Sequence, residues 1–203
     1  MKRITLAVLL LAAASCGDDD GGASTPDAGA TLDTPAKIFS FLDGKTIKMT
    51  GADIPSHPNG YNEDTNFGAA TQCYLSVQIA TAAGNFTVTS ALGTLEGAPT
   101  TGTTGTCNHA LQNGNPLTFP STTVLIENVK PNGECFDITA TYPGFVQEGR
   151  GKISPDGKKV TLELFFTTQA TGHRCAAGAV GAATVTLNGQ PFAGNAQQVY
   201  TVQ

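Results

Sequence analysis

The chain has 203 residues, of which 13% are charged, 40% hydrophobic and 7% aromatic, with 24 glycines and no tryptophan. This length suits one domain with appendages, or at most two small domains. A formal net charge of −5 argues against the clustered basic surface that nucleic-acid binding requires, so we expect no nucleic-acid partner. Low charge with abundant Gly, Thr and Ala favours β-structure with many turns over helical bundles.

The N-terminus has the pattern of an export signal. Lys2 and Arg3 precede an apolar run over residues 4–14, which is too short to span a bilayer but suits a signal peptide. The run leads into Ala13-Ala14-Ser15-Cys16, which resembles the lipobox of bacterial lipoproteins. The resemblance implies a signal peptide over residues 1–15 and a Cys16 that carries fatty acyl chains such as palmitate. An ordinary secretory signal cleaved nearby is the alternative.

An acidic tether is predicted after Cys16. Residues 17–36 contain five Asp residues and no Lys or Arg, and no apolar periodicity that could build a core. Cys16-Gly17-Asp18-Asp19-Asp20 is similar to the start of surface-displayed lipoproteins in some Gram-negative lineages. It also lacks the Asp after Cys that retains enteric lipoproteins in the inner membrane. The resemblance implies an outer-membrane lipoprotein on the periplasmic face or cell surface; a solvated spacer is the other interpretation of the Asp run.

The body of the chain predicts one helix followed by strands. Thr34 as cap, Pro35 at the first helical position and Gly44 past the end predict a short amphipathic helix over one end of the β-structure. Residues 93–116 are rich in Gly and Thr and are predicted to be irregular. Strands are predicted where apolar residues alternate or lie between turn signals, at residues 45–50, 74–81, 86–92, 122–129, 136–142, 145–153, 160–166, 184–187 and 197–202.

Tight turns join most of these strands. Ala83-Gly84-Asn85, Lys130-Pro131-Asn132-Gly133 and Ser154-Pro155-Asp156-Gly157 have the residues that such turns require. The predicted fold is therefore all-β, an antiparallel up-and-down meander of about eight or nine strands with a short N-terminal helix. Because one face of the sheet is polar, we expect it to close as a barrel or fold into a sandwich. The arrangement resembles the lipocalin and calycin architecture, without a specific motif.

Three regions follow from these observations. Residues 1–15 are the predicted signal peptide, residues 16–36 are the lipidated Cys and tether, and residues 37–203 are a disulfide-braced β-domain.

Four cysteines remain besides Cys16, which predicts two disulfides in an oxidising compartment. Cys107-Asn108-His109 and His173-Arg174-Cys175 mirror one another, so an antiparallel alignment would place Cys107 opposite Cys175 and His109 opposite His173. This favours Cys107–Cys175 with Cys73–Cys135, while pairing in chain order stays open.

The same mirrored segments would also supply a Cys2His2 ligand set for zinc. Thiols outside the cytoplasm tend to oxidise, so we favour disulfides over a zinc site. With the sulfurs bridged, His109 and His173 remain as candidates for weak metal binding, or are exposed polar residues. We assign no metal and no cofactor.

The densest polar cluster lies in residues 53–68. Asn62, Asp64 and Asn66 alternate there, and a cluster of oxygen donors at such spacing is typical of calcium loops. The twelfth position of such a loop would be Cys73 rather than the bidentate Glu that calcium loops use. A surface loop held by Asx turns is the alternative.

The same loop offers side chains for acid–base chemistry. Asp53, His57 and Glu63 could supply an acid, a base and a partner, which would make the chain an extracytoplasmic hydrolase using residues 53–66. The sequence contains neither a Gly-x-Ser-x-Gly elbow nor a phosphate-binding Gly loop with Lys. We therefore assign no catalytic residue.

A charged stripe runs along the predicted strand 145–153. Glu148, Arg150 and Lys152 share one face of it, which favours a solvated outer face with cross-strand ion pairs, for example to Glu163. The alternative places Glu148 and Arg150 in the lumen of a barrel, where they would bind a polar ligand.

Taken together, the sequence predicts a non-catalytic binding or interaction module of the cell envelope, anchored in the outer membrane by its lipid. Its expected partners are the membrane and a small molecule or another envelope component. The hydrolase is the alternative function, and a purely structural envelope protein is a further alternative.

Overall fold

The computed structural model describes residues 31–50, 73–97, 106–192 and 196–203. Helix α1 spans Pro35–Leu42, and no helix in these ranges is long and apolar enough to cross a membrane. The strands in these ranges are β1 Thr46–Thr50, β2 Tyr74–Ala82, β3 Asn85–Glu96, β4 Thr106–Gln112, β5 Leu117–Pro120, β6 Thr123–Glu127, β7 Phe136–Tyr142, β8 Phe145–Ile153, β9 Lys159–Phe166, β10 Ala170–Thr171, β11 Thr186–Leu187, β12 Gln190–Pro191 and β13 Gln197–Val202.

Ten of these strands form one antiparallel sheet. Its order is β4-β3-β2-β1-β13-β9-β8-β7-β6, and β5 pairs with β3 beside β4. The last strand, β13, lies between β1 and β9 and so joins the meander β1–β4 to the meander β6–β9. The short strands β10, β11 and β12 form a second, small sheet. The prediction of an antiparallel, mostly β fold is confirmed.

The two edges of the large sheet approach each other where β5 leads into β6. Ser121 donates its N–H to the carbonyl of Phe86 on β3 at 2.7 Å, and Thr122 donates to the carbonyl of Thr141 on β7 at 2.8 Å. Two residues thus connect one edge to the other. Within the described residues, however, no strand ladder pairs β6 with β4 or β5, so the sheet is not closed into a barrel.

The apolar faces of the strands surround one core. Helix α1 lies against it with Ile38 and Leu42 buried, and Leu32 of the predicted tether also packs there. Thr34 accepts a hydrogen bond from the Lys37 N–H at 3.3 Å, as expected of the cap. The buried members of the core are Ile38, Leu42, Ile47, Met49, Val77, Ile79, Phe86, Val124, Ile126, Phe136, Ile138, Ala140, Tyr142, Ile153, Val160, Leu162 and Tyr200.

Turns with positive φ join the strands where the sequence predicts them. Asn132 and Gly133 have φ of 57° and 67°, and Gly157 donates its N–H to the carbonyl of Ser154 at 2.8 Å. Asn and Gly adopt this left-handed region at little cost, so the local sequence is enough to place these turns.

The predicted irregular region contains strands instead. β3 continues to Glu96, β4 pairs with its end, and β5 follows. β4 is mostly exposed, and an edge strand with two solvated faces carries no alternation of apolar and polar residues. The predicted number of eight or nine strands is therefore too low. The strands at 170–171 and 190–191 are too short to produce a pattern.

Residues 167–192, which we call the cover segment, pack across the outer face of β7, β8 and β9. Phe165 on that face forms an apolar cluster with residues that lie in or just after the cover segment: Ala170, Val185, Leu187, Phe192 and Ala196. This part of the outer face is therefore buried rather than solvated, although its alternating polar residues predict a solvent-exposed surface.

Candidate functional site

An apolar cavity of about 260 Å³ opens at one end of the sheet. Strands β2, β3 and β5 line it from one side, and β7, β8 and the end of β9 line it from the other. Helix α1 lies at the opposite end of these strands, where Asp43 accepts the Ala83 N–H and Phe41 adjoins Gly157. The lining residues are Tyr74, Val88, Ser90, Leu92, Leu117, Phe119, Tyr142, Phe145, Gln147 and Phe166.

Four of the lining residues form a group of aromatic rings around Phe145. Its ring stacks on Tyr142 with centroids 4.6 Å apart, and it meets Phe119 and Phe166 edge-on, each at 5.7 Å. The turn at residues 143–144 brings Tyr142 and Phe145 opposite each other as a cross-strand pair. The β5, β7, β8 and β9 strands thus bring their rings together at this end of the sheet.

The polar groups of the cavity are all uncharged. Ser90, Tyr142 and Gln147 line it, and their side chains have no hydrogen-bond partner among the described residues. Burial raises the pKa of Tyr142 to about 12, so its hydroxyl remains protonated at neutral pH. Burial likewise raises the pKa of Tyr74 to about 12. The cavity therefore combines an apolar wall with a few neutral hydrogen-bonding groups, the composition typical of small-molecule sites.

The predicted ligand candidate Arg150 lies on the outer face of the sheet, not in the lumen. Its Nε is 2.7 Å from Glu163 Oε2, and both side chains are almost fully buried, at 0% and 1% exposure. The remaining guanidinium nitrogens donate to the carbonyls of Gly178 and Ala182 and to the Thr184 hydroxyl. The cross-strand pair with Glu163 is present as predicted, but the expectation of a solvated face is wrong because the cover segment lies on it.

Glu148, the other lumen candidate, also anchors the cover segment. Its carboxylate accepts a hydrogen bond from Arg174 at 2.7 Å. Arg174 also donates to the carbonyl of Ile138 and to the Thr139 hydroxyl, both on β7. The charges of Glu148 and Arg174 thus neutralise each other on the outer face, and Glu148 does not reach the apolar cavity, whose lining residues are all uncharged.

His173 is buried in the cover segment with 7% exposure, and both its ring nitrogens lack a hydrogen-bond partner among the described residues. Its Nε2 lies 3.5 Å from Glu148 Oε1, and its ring meets Phe165 edge-on at 6.0 Å. Burial lowers the pKa of His173, and the nearby Glu148 carboxylate partly opposes this effect. At neutral pH the imidazole of His173 is therefore uncharged.

The cysteines pair in chain order, as Cys73–Cys107 and Cys135–Cys175, with Cα separations of 5.3 and 5.9 Å. The prediction of two disulfides is confirmed, whereas the favoured pairing of Cys107 with Cys175 and Cys73 with Cys135 is wrong. The physical reason is that the strand holding Cys107 pairs with β3, so residues 107–109 do not align with 173–175.

The two histidine candidates consequently lie in different places. His109 is exposed on β4, and one of its ring nitrogens lies within 4.8 Å of the sulfurs of Cys73 and Cys107. Those sulfurs are bonded to each other, so they are not thiolate ligands in this state. His173 belongs to the cover segment, and the Cys2His2 set suggested by the mirrored segments is not assembled.

Other sequence candidates lie outside the described residues. They include the predicted lipidation site Cys16 and the polar loop with Asn62, Asp64 and Asn66. The catalytic alternative built on His57 falls in the same loop. The calcium and hydrolase hypotheses therefore stay predictions.

Sequence reasoning missed the cavity. Alternation in β7 and β9 indicates which side of the sheet Tyr142 and Phe166 face, but it does not say whether that space is filled. No protein-family model, curated protein or solved structure matches this chain.

Proposed function

We propose that this protein is a non-catalytic binding module that holds a small apolar molecule at the open end of its sheet. The observation that carries the proposal is a cavity of about 260 Å³ whose lining residues include five aromatic rings, aliphatic side chains and no charge. Moving an apolar ligand from water onto such a surface is favourable by about 25 cal/mol for each Å² removed from water.

In this proposal the sheet works as a barrel-like container. Residues 121–122 tie its two edges together through backbone hydrogen bonds to β3 and β7. Phe119 on one edge also contacts Phe145 on the opposite wall, with centroids 5.7 Å apart. These contacts support a fixed spacing between the walls of the cavity, which keeps the site open for a ligand.

We further propose that the module works outside the cytoplasm, anchored to the outer membrane through an acylated Cys16. The lipobox-like sequence before Cys16 and the acidic residues after it support this location. The disulfides Cys73–Cys107 and Cys135–Cys175 are consistent with it, because disulfides persist in oxidising compartments. The predicted partners are thus the membrane and the bound molecule.

Fluorescence titration tests the binding function. The full chain with Cys16→Ser, exported so that its disulfides form, is titrated with N-phenyl-1-naphthylamine, a neutral probe that brightens in apolar surroundings. We expect saturable binding by one probe per chain. Val88→Trp should weaken it at least tenfold, because the indole would occupy space that Val88 borders.

The matched control is Leu125→Trp. Leu125 is 51% exposed on β6 and does not line the cavity, so this change adds an indole elsewhere. Equal effects of the two substitutions, or no saturable binding by the parent chain, would count against the proposed function.

A further inference from the structure

We infer that the cavity selects an uncharged ligand of one or two aromatic rings that carries one hydrogen-bonding group, such as an alcohol, phenol or amide. This inference rests on the proposed binding function and adds the chemical class of the ligand. It is carried by the size of the cavity, the geometry of its rings and the kind of polar groups in its wall.

The size of the cavity limits the ligand. An apolar protein cavity of roughly 150 Å³ takes up one benzene molecule. The cavity in this protein has a volume of about 260 Å³, which is more than that of one benzene-sized cavity and less than that of two. A ligand with two fused rings matches this space, whereas a long acyl chain would extend beyond it into solvent.

The wall geometry favours a flat ligand. Tyr142 and Phe145 stack with an interplanar angle of 19°, while Phe119 and Phe166 stand at 81° and 79° to Phe145. A ring that enters the cavity thus meets both ring faces and ring edges. Offset-stacked and edge-to-face ring pairs contribute binding free energy beyond that of the buried area alone. We therefore expect an aromatic ring to bind more tightly here than an aliphatic group that buries the same area.

The electrostatics disfavour an ionised ligand. All the residues that line the cavity are uncharged. The buried charges Arg150 and Glu163 lie on the outer face and already neutralise each other. A carboxylate or ammonium group in the cavity would lose its hydration without gaining a counter-charge, and such a transfer is costly.

A neutral polar group, by contrast, has partners in the wall. The hydroxyls of Ser90 and Tyr142 and the amide of Gln147 each donate and accept hydrogen bonds. None of them is engaged through its side chain by another described residue. Ser90 lies on β3 and Gln147 lies on β8, which form opposite walls of the cavity. A ligand bound between these two strands therefore presents its polar atom to Ser90 or to Gln147.

A matched series of naphthalene compounds tests the inference on the full chain with Cys16→Ser. Dissociation constants at pH 7.5 are measured by calorimetry for naphthalene, 2-naphthalenemethanol, 2-naphthoate and 2-naphthylmethylammonium. Decanol serves as an aliphatic alcohol. We expect 2-naphthalenemethanol to bind most tightly and both ionic compounds to bind at least tenfold more weakly.

Gln147→Leu separates the polar contact from the apolar one. It should reduce the advantage of the alcohol over naphthalene, because a leucine side chain neither donates nor accepts a hydrogen bond. Gln190→Leu is the matched control, because Gln190 is exposed on β12 and does not line the cavity. Retention of the full alcohol advantage in Gln147→Leu, Ser90→Ala and Tyr142→Phe alike would overturn the inference, because these three residues supply the polar groups of the wall.

The outcomes distinguish the inference from the proposed function. If 2-naphthoate or decanol binds as tightly as 2-naphthalenemethanol, the ligand class is wrong while the binding function stands. The same holds if N-phenyl-1-naphthylamine binds but none of the naphthalene series does. If neither that probe nor any compound of the series binds, the proposed function itself is overturned.

Discussion

At the scale of single residues, the pair of Arg150 and Glu163 stands out because both side chains are almost completely buried. Burying a charge is expensive, and here the geometry offsets the cost through the ion pair and three further hydrogen bonds from the guanidinium. The acceptors of those bonds, Gly178, Thr184 and Ala182, all belong to the cover segment. The pair therefore links the sheet to the segment that covers it.

Removing one charge of this pair should be strongly destabilising. In Glu163→Gln the guanidinium of Arg150 stays buried without its counter-charge, so we expect a loss of about 3–5 kcal/mol in the free energy of unfolding. Urea unfolding followed by circular dichroism measures this. Asp33→Asn, which breaks the exposed pair with Lys37, is the control and should leave the midpoint nearly unchanged. Similar shifts in both variants would contradict the argument.

His173 should make stability depend on pH. Burial lowers its pKa in the folded chain below the ordinary value of 6.5, so the unfolded chain takes up the proton first as the pH falls. The free energy of unfolding therefore decreases as the pH drops below about 6.5, down to the folded-state pKa. The nearby Glu148 and Asp137 carboxylates raise the pKa of His173 and so weaken this pH dependence. Arg174 and Arg150 lower its pKa and so strengthen the dependence.

Urea unfolding at pH 8 and pH 5.5 measures the dependence. We expect the wild-type chain to lose more stability between these values than His173→Gln, which has no imidazole to titrate. His109→Gln is the control, since His109 is exposed on β4. A wild-type loss no larger than that of His173→Gln would show that another group governs the pH response.

At the scale of elements, the cover segment is held by a disulfide, an ion pair, an apolar cluster and hydrogen bonds. Cys175 forms a disulfide with Cys135, Arg174 pairs with Glu148, and an apolar cluster surrounds Phe165. The Cys175 N–H also donates to the Asp137 carboxylate at 2.7 Å, which satisfies a buried acid on β7. The segment is therefore part of the folded domain rather than a loose connection between β9 and β13.

Loss of the Cys135–Cys175 disulfide should loosen this segment first. Replacing both cysteines by Ala removes the covalent tie, and we expect a loss of about 2–5 kcal/mol in the free energy of unfolding. Limited trypsin digestion with mass spectrometry should then show earlier cleavage after Arg174. The double replacement of Cys73 and Cys107 by Ala is the control, because it releases β4 instead. Equal cleavage after Arg174 in both variants would contradict the prediction.

Local chemistry explains which elements could be predicted. The cap of α1 and the turns with positive φ depend on neighbouring residues. The capping role of Thr34 and the turn at Asn132 and Gly133 can therefore be predicted from the sequence. Strand β4 has no such local signal, because an exposed edge strand needs no apolar alternation. The cysteine pairing was also mispredicted, because it depends on which strands become neighbours.

At the scale of the whole molecule, we expect Cys16 to determine where the protein resides. Each buried methylene adds about 0.8 kcal/mol of membrane affinity, so two or three acyl chains anchor a protein stably. In a Gram-negative host, the wild-type chain should label with palmitate and fractionate with the outer membrane, whereas Cys16→Ser should become soluble after export. Ser15→Ala keeps a small residue before the cysteine and is the control. A soluble, unlabelled wild-type chain would favour the ordinary secretory signal.

Features that arise from neighbouring residues follow from the amino-acid sequence alone: the short helix, the main hairpins, the antiparallel β class and the oxidation of paired cysteines. By contrast, it is the packing of distant segments that places Glu148 and Arg150 beneath the cover segment and gives Tyr142 and Phe166 a cavity to border. The physical reason is that alternation assigns a side chain to one face of a sheet. What then covers or fills that face depends on segments far away in the chain.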